Sequence, residues 1–251
     1  MIDLELLQEA RIAYVAEDYE KALFLYRQLA YNYQELSPDE KELLTEEVAY
    51  EAQKDPRYKE FIQLPVLPQT QPLVYFEGSK TYLPGKFLLE IEDKNDAYEL
   101  QRLAIQYKDN KDWDMALACL FKSNMIRQRN KENIMDTDLL RLPLFLEQAG
   151  KFEEAKNELQ RVFEYLDENI QQLIHPTHHY KALLIKKFKA ISVEYLFDKA
   201  RLIYKRQGLR DKSEEFAKLS MKFRIESELY SNKLDRFRQI ERSLKSYSSK
   251  D

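Results

Sequence analysis

The chain is poor in glycine, with 4 in 251 residues, and it holds a single cysteine, Cys119. So little glycine argues against an α/β sheet, whose tight turns need residues that tolerate left-handed backbone. One cysteine excludes an intrachain disulfide and fits a reducing compartment, so a cytoplasmic setting is expected. No stretch reaches the roughly 20 apolar residues that span a bilayer, and no membrane partner is expected. The opening MIDLELLQEARIAY is acidic and amphipathic, without the basic start and apolar run of a secretion signal. Phosphate-loop, dinucleotide and nucleophile-elbow motifs are missing, and so is HExxH. Neither catalysis nor a cofactor is expected.

Charge is what the chain has in quantity: 33% of its residues are Asp, Glu, Lys or Arg, a mixture that favours long solvated helices. The distribution is uneven. Residues 1–95 carry 10 Lys+Arg against 19 Asp+Glu, residues 96–176 carry 11 against 15, and residues 177–251 carry 19 against 10. Such polarity either solvates helix faces of either sign or steers a charged partner or a second copy. The basic last third raises nucleic-acid binding as an alternative function. Its cations are interleaved with Glu and Asp, and no RNA motif accompanies them.

Three stretches repeat one pattern: AYVAEDYEKALFLYRQL, QYKDNKDWDMALACLFKS and LFLEQAGKFEEAKNELQRV. Each places an aromatic, an alanine three residues on, and a large apolar residue four beyond that. The matched sets are Tyr19-Ala22-Tyr26, Trp113-Ala116-Leu120 and Phe152-Ala155-Leu159. Upstream stripes (Leu6, Ala10 and Ala13; Leu100, Leu103, Ala104 and Tyr107; Leu139, Leu142 and Leu146) lie on one helical face. The physical unit is a helix hairpin in which small residues, such as Ala104 opposite Ala116, let two backbones approach. One hairpin cannot bury both faces, so it must stack on another.

This pattern resembles the tetratricopeptide repeat, over residues 4–34, 98–127 and 137–166. A fainter fourth copy spans 195–224, with Ser213 in place of alanine and no turn aromatic. Pro143 stands where Gly or Ala is usual and should kink the third copy's first helix. The resemblance implies an all-α fold, an α-α superhelix of stacked hairpins, with long C-terminal helices. It also implies a concave groove lined by first helices that receives a polypeptide. Carried over position by position, the groove would be lined by Gln8, Arg102, Arg141 and Lys199, with Arg11 one turn along. A basic row of this kind suits an acidic peptide or a chain-terminal carboxylate, although the asparagines of the family's carboxylate-binding version are missing. The implied function is an adaptor or scaffold that binds another protein.

Residues 55–91 interrupt the repeats and hold five of the eight prolines (Pro56, Pro65, Pro68, Pro72, Pro84). That density forbids a regular helix, while Leu73, Val74, Tyr75, Phe76 and Leu83 are too apolar for a free linker. An extended strap over residues 55–95, packed on the helices, follows, with a short hairpin near Gly78. It either bridges two helical segments, 1–54 and 96–251, or fills the groove from within. Ser37-Pro38-Asp39-Glu40 reads as a capping box. Asp136 or Thr137 is expected to cap the third copy, and Asp211 the last helix. In that helix Phe216, Leu219, Phe223, Tyr230, Leu234, Phe237, Ile240 and Leu244 fall near 3-4 spacing, as core or as a seam between two copies.

HPTHHY, residues 175–180, holds every histidine. His175 and His179 are one helical turn apart, a spacing that can place two imidazoles on a metal, and a metal-dependent enzyme is the third functional alternative. No Cys pair or nearby ligand motif supports it, and Pro176 suits the first position of a helix. A polar helix start is the preferred reading.

Overall fold

The computed structural model describes residues 2–31, 33–54, 73–174 and 180–248. Among them the chain is all-helical, without a strand. The α-helices are α1 (Leu4–Val15), α2 (Tyr19–Tyr31), α3 (Pro38–Lys54), α4 (Ala97–Asp109), α5 (Trp113–Arg129), α6 (Asp136–Leu139), α7 (Arg141–Gln148), α8 (Phe152–Leu173), α9 (Lys181–Arg206) and α10 (Arg210–Ser248). Among the described residues, 3-10 turns lie at Tyr33–Glu35 and Gly85–Ile91.

Four hairpins, α1–α2, α4–α5, α6/α7–α8 and α9–α10, close with the same turn. Its central residue is left-handed: Glu17 (φ 61°), Lys111 (φ 62°), Gly150 (φ 77°) and Gly208 (φ 76°). The Glu17 turn has three bonds, Ala16 N–H to Ile12 O, Glu17 N–H to Tyr14 O and Asp18 N–H to Ala13 O. The other three turns repeat them. This arrangement satisfies the orphan carbonyls at the end of each first helix. Glu17 and Lys111 bear roughly 1–2 kcal/mol of left-handed strain that the two glycines avoid. The residues five positions after these centres, Ala22, Ala116, Ala155 and Ser213, are all buried. The fourth hairpin therefore shares the turn despite its weak sequence signal, and Ser213 Oγ donates to Arg201 O (3.1 Å) across it.

The chain forms two compact units: Met1–Thr70, Ile174–Phe188 and Glu226–Asp251 make one, Gln71–Leu173 and Lys189–Ile225 the other. This division differs from the three consecutive segments expected, because α9 and α10 contribute to both units. In the second unit three hairpins stack in chain order. Trp113 meets Phe145 edge-on at 5.9 Å, Phe152 meets Tyr204 at 5.3 Å, and Phe163 lies 6.4 Å from Phe197. Leu100, Ala104, Ala116, Leu120, Leu146 and Ala155 form one buried core with Tyr82 and Ile91. Pro143 breaks its helix at Leu140, which separates α6 from α7, because proline has no N–H for the carbonyl four residues back.

The first unit combines hairpin α1–α2 with α3, the start of α9 and the end of α10. Ser37 and Glu40 form the expected capping box (Ser37 N–H to Glu40 Oε2, 2.9 Å; Glu40 N–H to Ser37 Oγ, 3.3 Å). The Glu40 carboxylate also accepts the Ile2 N–H at 3.0 Å. Part of the acid–base polarity of the sequence is resolved here. Lys186 pairs with Glu46, Lys233 with Glu42 and Glu46, and Arg236 with Asp39 and Glu42, so acidic α3 is held by basic residues of α9 and α10. Burial alone would raise the Glu46 carboxyl, but hydrogen bonds from Lys233 and Lys186 outweigh it and hold the group below its ordinary value.

Several local expectations change. Asp136 is the first residue of α6 rather than its cap; Met135 precedes the helix without a side-chain cap. Asp211 lies inside α10, which starts at Arg210. No hairpin forms at Gly78. On α10, Phe216, Leu234 and Phe237 are buried within the chain, so these residues are core and not a seam. Leu244 lies outside the described side chains.

Candidate partner-binding surface

The expected groove residues share a register. Gln8, Arg102, Arg141 and Lys199 each sit nine positions before the left-handed residue of their hairpin. Their surroundings differ. Gln8 and Arg11 belong to the first unit and the other three to the second. Arg11 is held by Glu47, and its guanidinium lies 5.7 Å from the Tyr180 ring centre. Arg141 donates to Gln101 Oε1 and pairs with Asp138 at 3.2 Å. Lys199 pairs with Asp198 at 3.2 Å and rests 4.4 Å from the Tyr195 ring centre. Arg102 is exposed. Carboxylates of the chain itself therefore neutralise most of the basic row, which weakens the case for an acidic ligand.

Sequence reasoning missed the residues beside Arg102. Gln101, Asn124 and Arg127 are polar yet almost fully buried, at 5, 3 and 2% exposure. Arg127 donates to Asp138 Oδ2 at 2.8 Å, and its guanidinium lies 4.5 Å from the centre of the largely exposed Tyr98 ring. Asp138 thus bridges Arg127 of α5 and Arg141 of α7, and Arg141 continues the chain of bonds to Gln101 of α4. Arg127 Nε and Nη2, Gln101 Nε2 and both amide atoms of Asn124 find no protein partner. Buried polar groups in this state are costly, so the Arg127–Asp138–Arg141–Gln101 pairs offset only part of the cost of burying them. The available signal was polar residues at positions where the first and third copies carry Leu7, Ala30 and Tyr33 and Leu140, Phe163 and Leu166.

Residues 73–91 of the strap pack on the helices of the second unit. Their partners come chiefly from second helices. Gln160 of α8 reads strap backbone: its Oε1 accepts the Tyr75 and Phe76 N–H groups (3.1 and 3.3 Å) and its Nε2 donates to Leu73 O (3.1 Å). Glu153 accepts from Ser79 N–H and Oγ at 3.2 and 3.0 Å. Tyr75 packs edge-on against Phe163 (5.0 Å) and Phe197 (4.9 Å), and Phe76 stacks on Phe216 at 5.2 Å. Gly78 presses on the backbone of α8. A Cβ there would collide with Asn157 Oδ1 and come within 2.6 Å of Asn157 N and Glu153 O. Further on, Tyr82 meets Phe121 and Lys122 Nζ donates to Ile91 O (2.6 Å), both on α5. Of the first helices, α9 meets the strap through Phe197, which also lies 6.0 Å from Phe76.

His175, His178 and His179 fall outside the described residues, as do strap residues 55–72. Among the described residues no group of three or more His, Cys, Asp or Glu is placed to hold a metal. Cys119 is fully buried, and burial pushes its thiol up to about 11, which suppresses the thiolate. At the stack's end, α9 and α10 enclose a cleft of about 460 Å³ lined by Ile191, Tyr195, Asp198, Arg201 and Met221 among others. Among the described residues no helix is long and apolar enough to cross a membrane.

The geometry defines a class: stacked helix hairpins that carry an extended segment of their own chain. No family model, no curated protein and no solved structure matches this sequence.

Proposed function

We propose that this chain is a non-catalytic adaptor of the cytoplasm, a tetratricopeptide-like superhelix whose first-helix face binds another polypeptide. The observation that carries the reading is the strap. The hairpin stack of the second unit already grips an extended polypeptide, through backbone-directed bonds from Gln160 and an aromatic bed of Phe163, Phe197 and Phe216. The face left for a foreign segment carries Tyr98 (73% exposed), exposed Arg102 and Ile105 on α4. That mixture of aromatic, cation and aliphatic suits a ligand anchored by apolar side chains, with at most one carboxylate for Arg102. Nucleic-acid binding gains no support, since Lys186, Lys189, Arg206, Lys233 and Arg236 of the basic third are engaged by carboxylates.

A photo-crosslinking amino acid placed at Arg102, and separately at exposed Lys212, tests this in native lysate. Discrete protein adducts are expected from position 102 and not from 212. Identical adducts at both positions, or none at 102, would remove the proposal.

A further inference from the structure

The junction where α4 and α5 meet α6 and α7 holds more positive charge and more N–H donors than the chain itself offsets. Arg127 and Arg141 share the carboxylate of Asp138, at 2.8 and 3.2 Å. Two guanidinium groups against one carboxylate leave a net positive charge. Arg127 is 2% exposed, so solvent does little to screen it. Its Nη1 serves Asp138, while Nε and Nη2 find no partner among the described residues. Those two atoms form the side-on edge of the guanidinium, a fork of parallel N–H bonds that matches a planar oxyanion.

Helix periodicity brings two amides to the same place. Tyr98 of α4 meets Arg127 of α5, with the guanidinium 4.5 Å from the ring centre. Gln101 lies one turn on from Tyr98 and Asn124 one turn back from Arg127, so in this antiparallel hairpin they share a level beside the fork. Gln101 gives its Oε1 to Arg141, which fixes the amide and leaves Nε2 as a donor. Neither Oδ1 nor Nδ2 of Asn124 has a partner among the described residues. Buried groups in this state cost free energy, and an unbalanced charge costs more. A water molecule accepts only some of these N–H bonds and balances no charge.

We propose that this junction binds a small planar oxyanion of single charge, of the bicarbonate or formate kind. Two of its oxygens take the Arg127 fork, and the same oxygens accept from Gln101 Nε2 and Asn124 Nδ2. Its charge balances the second arginine. A divalent anion would instead leave a buried negative charge, so phosphate and sulfate fit poorly. Bicarbonate also carries an O–H for Asn124 Oδ1 to accept. Tyr98, 73% exposed, lies over the guanidinium and is the side chain that turns aside for entry.

Urea unfolding of the full chain tests this, with sodium bicarbonate or sodium formate replacing sodium chloride at constant ionic strength and mildly alkaline pH. At roughly ten times its dissociation constant, the anion should lower the unfolded-to-folded ratio about tenfold at any fixed urea concentration. A rise in midpoint in either arm supports the site, and the anion that acts at the lower concentration is its ligand. Arg127→Lys keeps the charge and loses the fork, and Asn124→Leu keeps the volume and loses both polar atoms. Each should abolish the rise, with circular dichroism confirming that the variant remains helical. A second measurement needs no variant: the carbon NMR line of the isotopically labelled anion should broaden when wild-type protein is added. A midpoint that moves in neither arm overturns the proposal. So does an equal rise in both variants, or a carbon line that stays sharp.

Discussion

Arg127 and Arg224 occupy the same position in their hairpins, sixteen residues after the left-handed turn, yet one is 2% exposed and the other lies open. What separates them is whether another hairpin covers the position. At Arg127 the next helix supplies Asp138, excludes water and converts an ordinary surface cation into the centre of a buried polar junction. At Arg224 no hairpin among the described residues stacks on the position, and the residue rims a cleft. Identical local geometry therefore yields a structural residue in one place and a surface in the other.

Substitution should expose that difference most at the covered site. Arg127→Ala strips a buried pair and leaves Asp138 with Arg141 alone, and is expected to cost about 3 kcal/mol. Arg224→Ala should stay within about 0.5 kcal/mol of wild type. Urea unfolding followed by the fluorescence of Trp113, which lies in the same unit, measures both. Equal losses would mean that coverage is not what distinguishes the two arginines.

The second-helix face offers a parallel contrast. Gly78→Ala forces a methyl group into α8 and should cost about 2 kcal/mol, by lifting the strap from Gln160. Gly208→Ala meets no atom within 4 Å and bears only left-handed strain, about 1 kcal/mol. Proteolysis within the strap should follow the first substitution and not the second.

In the first unit the pairs are part-exposed, so their loss should be gentler than at Arg127. Lys233→Met is expected to destabilise by about 1 kcal/mol at low salt and by less in high salt. Glu46 has a folded pKa below its ordinary value, so its contribution is present above the ordinary carboxylate range and is lost as pH falls through the lowered folded pKa. The variant and wild type should therefore converge in acid.

Asp136 behaves in the opposite sense. Burial raises its carboxyl, with the hydrogen bond from Ser192 Oγ (2.9 Å) acting the other way. A raised folded pKa contributes stability that is full below the ordinary Asp range and is lost as pH rises through the folded pKa. Asp136→Asn, which keeps an acceptor for Ser192, should gain on wild type at neutral pH and lose that advantage in acid. A wild-type-like pH profile would show that Asp136 is better solvated than its surroundings suggest.

The repeated pattern predicted hairpins at three places, and all three form with their alanines buried. The fourth was faint because Ser213 and Arg210 replace the alanine and the aromatic, but a glycine at the turn and a buried small side chain suffice to close it. The residues expected to line a groove share a register that was legible, while the neutralisation of their charges was not. Nothing near Arg11 or Arg141 in sequence marks Glu47 or Gln101 as its partner, since those lie 36 and 40 residues away. Residues 73–91 of the strap pack on the helices as their apolar content suggested, while the helices they pack on were not legible.

By itself the sequence determined the helices, their turns and the small residues between them, because periodicity and left-handed turn positions act over a few residues. Only the tertiary structure decided which cations are neutralised, which face the strap covers and which hairpin faces stay open. Those outcomes depend on which distant elements become neighbours, and local patterning does not encode the energy of that meeting.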